Sequence, residues 1–331
     1  MTSFHLLLII VAISLVFDFT NGWHDAASSI ASVVSTRVLP PLWAVVWAAF
    51  WNFVAPFVYG TAVAATMGKG LVDLRLVNEH VLLAGLLGAI IWNYATIRLG
   101  IPCSSSHALM GGYGGAAIAA AGIRAILLSG WTMPVLFIFL APIMGLIAAI
   151  IVITLISWMV YRLPVHRVDS AFRRLQLLSA AAFSFSHGTN DAQKTMGIIT
   201  AALVTGGVLQ TYTVPDWVIM CCALAMAGGT MAGGWRVVKT MGQRITKLQP
   251  FSGFSAELSA TLTLLLTAAW GIPVSSTHVI TGAISGVGAS RRLTAVHWGV
   301  TRRIVWAWIL TIPGAGLMGA ALYHILHTWL H

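Results

Sequence analysis

Long apolar stretches dominate this chain, and the informative positions are the few polar residues that interrupt them. Residues 5–36 are apolar except around Asp18, Asn21, His24 and Asp25. As one straight helix that stretch would be about 48 Å long at 1.5 Å per residue, well beyond a hydrocarbon core of about 30 Å. It therefore predicts a first membrane helix, broken where the polar residues gather. No basic residue precedes it and no small-x-small cleavage site follows before the motif, so it reads as a retained helix and not a secretory signal. Next come a helix over about 42–67, an interrupted pair over 81–98 and 108–121, and a long helix over 132–160. Gly100-Ile101-Pro102 separates the pair, because proline removes a donor and disfavours helix in the residue before it. The series then returns as a broken helix at 172–205, a helix at 216–235, an interrupted pair at 252–290 and a helix at 304–328.

The return is visible residue by residue. Phe17-Asp18-Phe19-Thr20-Asn21-Gly22-Trp23-His24-Asp25-Ala26 resembles Phe183-Ser184-Phe185-Ser186-His187-Gly188-Thr189-Asn190-Asp191-Ala192. Gly100-Ile101-Pro102-Cys103-Ser104-Ser105-Ser106-His107 matches Gly271-Ile272-Pro273-Val274-Ser275-Ser276-Thr277-His278, and Gly111 and Gly115 then match Gly282 and Gly286. Two motif pairs in the same order at half-chain spacing divide the chain into repeats at 1–165 and 166–331, together one transport domain.

Composition narrows the class. Of the 331 residues 58% are hydrophobic and only 8% charged, with mean hydropathy +0.89; a soluble domain carries roughly 25% charged residues. Soluble enzymes, disordered chains and disulfide scaffolds are excluded, and Cys103, Cys221 and Cys222 have no metal-site spacing. The net charge of +10 has no long polar stretch to present to nucleic acid. It is better explained by cytoplasmic loops. With the amino terminus outside and both interrupted pairs entering and leaving on one side, most of the Lys and Arg residues fall inside. These are Arg37, Arg162, Arg167, Arg173, Arg174, Arg236, Lys239, Arg244, Lys247, Arg291, Arg292, Arg302 and Arg303, whereas Lys69, Arg75 and Arg124 fall outside. Three crossings per half is an odd number, so the halves would be inverted relative to each other, as in many secondary transporters. The fold class expected is an all-α polytopic membrane protein, an inverted-topology repeat with broken helices and two re-entrant helical hairpins.

Ionisable groups within a membrane are expensive, at least about 2.5–3.5 kcal/mol each on insertion scales. Asp25 and Asp191 occupy matching places, with Asn21, Thr189 and Asn190 beside them. Such carboxylates either cap following half-helices, hold Na+ with hard oxygen ligands, or carry a proton. His24 and His187 keep the proton option open. Ser104, Ser105, Ser106, Ser275, Ser276 and Thr277 each precede a new half-helix, whose free N–H groups and hydroxyls suit an oxyanion or, more plainly, a helix cap. A dianion beside two carboxylates is repelled until cations neutralise them, which is symport stated as electrostatics. Lys194 lies on the helix face of Asp191, placed for pairing or for substrate. Glu257 has no counterpart in the first half; it is either a coupling residue or a carboxylate near the cytoplasmic end. Asn52 and Asn93 read as interhelical bonds. A passive anion channel and a hydrolase using Ser105 or Ser106 with His107 are the other classes considered; the nucleophile-elbow motif Gly-x-Ser-x-Gly is absent.

At these motifs the chain resembles the bacterial branch of the inorganic phosphate transporter (PiT) family, whose duplicated signature is approximately Gly-x-Asn-Asp-x-Ala/Gly-Asn-x-x-Gly. The second copy reads Gly188-Thr189-Asn190-Asp191-Ala192-Gln193-Lys194-Thr195-Met196-Gly197. The first reads Gly22-Trp23-His24-Asp25-Ala26-Ala27-Ser28, departing from the signature at His24 and Ser28. The resemblance implies phosphate symport, with Ser104, Ser105, Ser106, Ser275, Ser276, Thr277 and Asn190 on phosphate. Asp25, Asp191, Asn21, His24, Thr189, Asn190 and Glu257 would serve the coupling ion, with Na+ placed at Asp25 and Asp191. A sulfate permease or a proton-coupled metal–phosphate carrier of the same fold is the alternative. No enzyme activity and no cofactor are expected. The expected partners are inorganic phosphate or a similar oxyanion, Na+ or H+, and the bilayer, with a homodimer left open. The expected location is the bacterial inner membrane, multi-pass, with both termini periplasmic.

Overall fold

The computed structural model describes residues 3–330 except 59 and 273; Pro273, predicted to break the second interrupted pair, lies outside the described residues. These residues form α-helices joined by short turns, with no strand among them. In chain order they are α1 (Ser3–Ser35), α2 (Pro41–Val54), α3 (Ala62–Lys69), α4 (Glu79–Leu99), α5 (Ser105–Ala121) and α6 (Leu128–Val160). There follow α7 (Val165–Thr205), α8 (Asp216–Ala232), α9 (Trp235–Lys239), α10 (Pro250–Ala269), α11 (Ser276–Ala289) and α12 (Trp298–Leu330). Among the described residues five helices are long and apolar enough to cross a membrane, or seven if each bent pair counts as one span.

The breaks are not where the polar motifs are. Both α1 and α7 run helically through Asp25 and Asp191. Instead the second element of each half is broken: α2 and α3 meet at 85°, and α8 and the segment after it at 61°. A buried carboxylate need not interrupt a helix if neighbouring elements supply its hydrogen bonds, and here they do. Backbone geometry breaks the other two: Pro56 and Gly60 lie between α2 and α3, and Gly233 and Gly234 between α8 and α9. After the second break, Arg236 of α9 is exposed. Its guanidinium donates to the Arg98 carbonyl at 2.5 Å, beside the turn that ends α4.

The interrupted pairs are two matching helical hairpins. Gly100 and Gly271 end α4 and α10 in the left-handed region, at φ +68° and +65°. The next amides, Ile101 and Ile272, return to the carbonyls of Thr96 and Thr267, the closure typical of a glycine stop. After the turn, Ser104 and Ser275 cap α5 and α11, accepting from the amides of His107 at 3.2 Å and His278 at 3.3 Å.

The halves interlock. Helices α4 and α5 pack on α12 of the second half, while α10 and α11 pack on α6 of the first; α1 packs on α8, and α7 on α2 and α3. Close approach explains the matched glycines: a Cβ at Gly115 would lie 2.1 Å from the Gly316 carbonyl oxygen, and one at Gly282 2.0 Å from that of Pro142. The apolar interior is two bodies. One takes α1 up to Phe17 and α7 from Ala192; the other takes α1 from Ala27 and α7 up to Phe183. The intervening turns of α1 and α7 form a polar layer between them, which tertiary partners must satisfy because burying polar groups unpaired is costly.

Candidate functional site

The polar layer brings the two aspartates together. One ligand atom each from Asp25, His187 and Asp191 lie within 4.8 Å of one another, all three residues buried. Two buried carboxylates this close are held by donors from four helices.

On the first-half side, Asp25 Oδ1 faces His24 Nδ1 at 2.8 Å and accepts from Thr277 Oγ1 at 3.0 Å. Asp25 Oδ2 accepts from Ser105 Oγ at 2.5 Å, a hydroxyl equally close to Asn21 Oδ1. Ser28 Oγ lies 3.1 Å from Thr277 Oγ1. The far nitrogen of His24 sits 3.3 Å from the Ile101 carbonyl, in the turn of the first hairpin. On the second-half side, Asp191 Oδ1 pairs with Lys194 Nζ. Asp191 Oδ2 faces His187 Nε2 and accepts from Ser276 Oγ, both at 2.9 Å. Lys194 also donates to Ser106 Oγ at 2.5 Å and to the Val274 carbonyl at 3.0 Å. His187 is oriented through Nδ1, 3.1 Å from Asn52 Oδ1, and Asn52 donates to Thr230 at 3.0 Å.

The hairpin starts meet above this layer. His107 and His278 stand with ring centroids 4.9 Å apart, and His278 stacks on Trp308 at 3.9 Å. Trp308 donates from its indole to the Pro102 carbonyl at 3.1 Å, fastening α12 to the first turn.

The hydroxyl trios thus divide their work. Ser104 and Ser275 are occupied as helix caps, while Ser105, Ser106, Ser276 and Thr277 reach the aspartates or Lys194. Asn190 is fully buried, and neither atom of its amide has a protein partner. Thr189 spends its proton on the Ser186 carbonyl of its own helix, at 2.7 Å. Glu257 is not brought to the pair. It is buried in α10 and accepts from Ser32 and Ser179, and from Gln176 Nε2 at 3.2 Å, with Gln176 in turn held by Thr36 at 2.9 Å. Ser32 is seven residues beyond Asp25, about 10 Å along α1, so Glu257 anchors a separate polar cluster and does not reach solvent. Asp18 accepts from Thr195 at 2.9 Å on the other side of the pair.

Two contributions escaped the sequence, and a third, the pairing of Lys194 with Asp191, was one of two alternatives it left open. Ser28, a departure from the family signature, joins the site through Thr277. Asn52, read as an interhelical bond, does bond between helices but also orients His187. Lys194, placed for either pairing or substrate, is at the centre; its three-residue spacing from Asp191 was the available signal.

Apolar helices that gather carboxylate, hydroxyl, amide and ammonium groups in a buried central layer define a multi-pass membrane transporter, and the comparisons identify which kind. The profile of the Phosphate transporter family matches residues 21–319, and the chain belongs to that family, whose members are transporters and not enzymes. It is 49% identical over 322 residues to a "Probable low-affinity inorganic phosphate transporter" of Rhizobium meliloti (strain 1021), covering 97% of this chain and 96% of the relative. A protein of the same description from Bacillus subtilis (strain 168) is 42% identical over 325 residues, covering 97% of both. Among solved structures, one described as "The sodium-dependent phosphate transporter" superposes with a TM-score of 0.90 at 25% identity, covering 98% of this chain and all of that one.

Proposed function

We propose that this chain carries inorganic phosphate into a bacterial cell in symport with a monovalent cation, Na+ or H+, taken at the Asp25 side of the paired carboxylates. The observation that carries the reading is the meeting of Asp25 and Asp191, one from each half, within 4.8 Å under the starts of both hairpin helices. Cation binding there relieves the repulsion that a phosphate dianion would feel, so each ligand raises the affinity for the other by the same factor. Ser105, Ser106, Ser276 and Thr277 are the hydroxyls that turn from the aspartates to phosphate, with the unpartnered Asn190 amide beside them. The carboxylate and hydroxyl oxygens around Asp25 suit Na+, and the sodium dependence named for the structural relative supports that ion. His24 supports the proton instead, since its two ring nitrogens face two acceptors, Asp25 and the Ile101 carbonyl.

The membrane arrangement follows the same reading. At 17 and 14 residues, α5 and α11 measure about 26 and 21 Å, short of a 30 Å core. They are therefore the inner limbs of re-entrant hairpins, in halves of inverted topology within the inner membrane and with periplasmic termini. Uptake of labelled phosphate into proteoliposomes is the test, first with Na+ replaced by choline at fixed pH and then with the proton gradient collapsed. Concentrative uptake that survives excess sulfate and falls in one of those two conditions is expected. Sulfate-sensitive uptake points to a sulfate permease, and uptake that never concentrates points to a channel.

A further inference from the structure

The two halves of the site share one plan, and the exchange of Ser28 for Lys194 is the one that changes the charge beside an aspartate. Each aspartate accepts from the first hydroxyl of its own half's hairpin helix, Asp25 from Ser105 and Asp191 from Ser276. The next hydroxyl comes from the opposite half. At Asp25 it arrives directly, as Thr277 at 3.0 Å, with Ser28 3.1 Å behind it. At Asp191 the equivalent hydroxyl is Ser106, and it meets an ammonium instead: Lys194, which stands in the repeat where the first half has Ser28, is inserted between them. Its nitrogen is surrounded by a carboxylate oxygen of Asp191, the Ser106 hydroxyl and the Val274 carbonyl, and the side chain is 1% exposed. Carboxylate, hydroxyl and backbone carbonyl are the oxygen set that a hard cation takes. The three oxygens also match the three donors of the ammonium, so Lys194 can stand where such a cation would.

We propose that Lys194 is a tethered cation, filling the second of two pseudo-equivalent cation positions, so that the half containing Asp191 takes no dissolved coupling ion. The assignment rests on the symport reading of this same site and sharpens it. The Lys194 ammonium offsets the charge of Asp191, and a single monovalent cation at Asp25 offsets that of the other carboxylate. Fixing one charge covalently also spares the protein the ordering of a second ion on every cycle. Removing the ammonium should turn a built-in charge into a requirement for a dissolved one.

The test compares wild type with Lys194→Ala and Lys194→Arg, varying Na+ against choline at fixed pH and ionic strength. Phosphate uptake is read in proteoliposomes, and phosphate-dependent thermal stabilisation in detergent, the latter needing no turnover. Lys194→Ala is expected to need about tenfold more Na+ for half-maximal stabilisation by phosphate, with a Hill slope for Na+ raised by about one. Lys194→Arg, whatever its turnover, should not acquire that added requirement. A monodisperse Lys194→Ala protein with the wild-type Na+ dependence, or with no response to phosphate at any Na+ concentration, overturns the assignment alone. If wild type itself shows neither uptake nor stabilisation by phosphate, the transport reading fails and the assignment with it.

Discussion

Asp25 and Asp191 sit on equivalent turns of equivalent helices, under equivalent hairpins, and yet their surroundings differ in kind. Asp25 is met by three groups whose protons can be turned elsewhere: Ser105, Thr277 and His24. Asp191 is met by a fixed ammonium as well as by Ser276 and His187. The shared backbone frame sets where each carboxylate points, and a few side-chain exchanges decide whether it meets hydroxyls alone or an ammonium as well. Duplication gives a symmetric frame; divergence at His24 against Asn190 and at Ser28 against Lys194 makes it chemically one-sided.

The largest effects should come from the carboxylates themselves. Asp25→Asn and Asp191→Asn should each abolish gradient-driven phosphate uptake, and unchanged accumulation in both would remove the coupling role. The two should part company in stability. Asp191→Asn strands a buried ammonium, a change worth about 3–5 kcal/mol, whereas Asp25→Asn faces hydroxyls and an imidazole that can re-pair. A thermal-shift series in detergent should therefore place Asp191→Asn well below Asp25→Asn, and equal melting points would mean that the halves are not energetically distinct.

Packing comes next, and here the halves should behave alike. Gly115→Val and Gly282→Val each place side-chain atoms where a Cβ alone would lie about 2 Å from a carbonyl oxygen. Overpacking of this kind costs typically 1–3 kcal/mol or more. Both variants should lose yield and melting temperature together, as size-exclusion profiles would report; tolerance at either would place the interhelical contact wrongly. Smaller still, Ser105→Ala and Ser276→Ala should weaken phosphate affinity about tenfold, in line with a lost hydrogen bond to a charged group of about 1.5–3 kcal/mol. Their cation dependence should move less, which isothermal titration at several Na+ concentrations can separate. The smallest change is His24→Asn, which restores the family's common residue. It should reduce the sensitivity of uptake to a protonophore by a few-fold without ending transport, and an unaltered response would take His24 out of proton handling.

Much of the arrangement was legible beforehand because repetition in sequence is repetition in space. The matched Gly-Ile-Pro-x-Ser-Ser-Ser/Thr-His segments do become matched hairpin turns, and the polar motifs on α1 and α7 do meet. The placement of the helix breaks was not legible in the same way. A polar cluster inside an apolar run looks like an interruption when only one chain segment is in view. It ceases to be one when Ser105, Thr277 and Ser276 arrive from segments 80 and more residues away in sequence. Pro56 with Gly60, and Gly233 with Gly234, are breakers in the sequence too, but lie outside the matched motifs. Glu257 had two readings, and its burial against Ser32, Ser179 and Gln176 leaves no route to solvent.

What the chain alone determined is its class and its symmetry: hydropathy over 331 residues forces helices into lipid, and doubled motifs force two related halves, since both properties are local and additive along the sequence. Which oxygen each proton meets was decided only by the interlocking of those halves. A hydrogen bond has a reach of about 3 Å, and no spacing along one strand of sequence specifies where a hairpin from the opposite half will set its first hydroxyl. The ammonium of Lys194 is the clearest case, an i,i+3 neighbour of Asp191 by sequence and a ligand to three chain segments by fold.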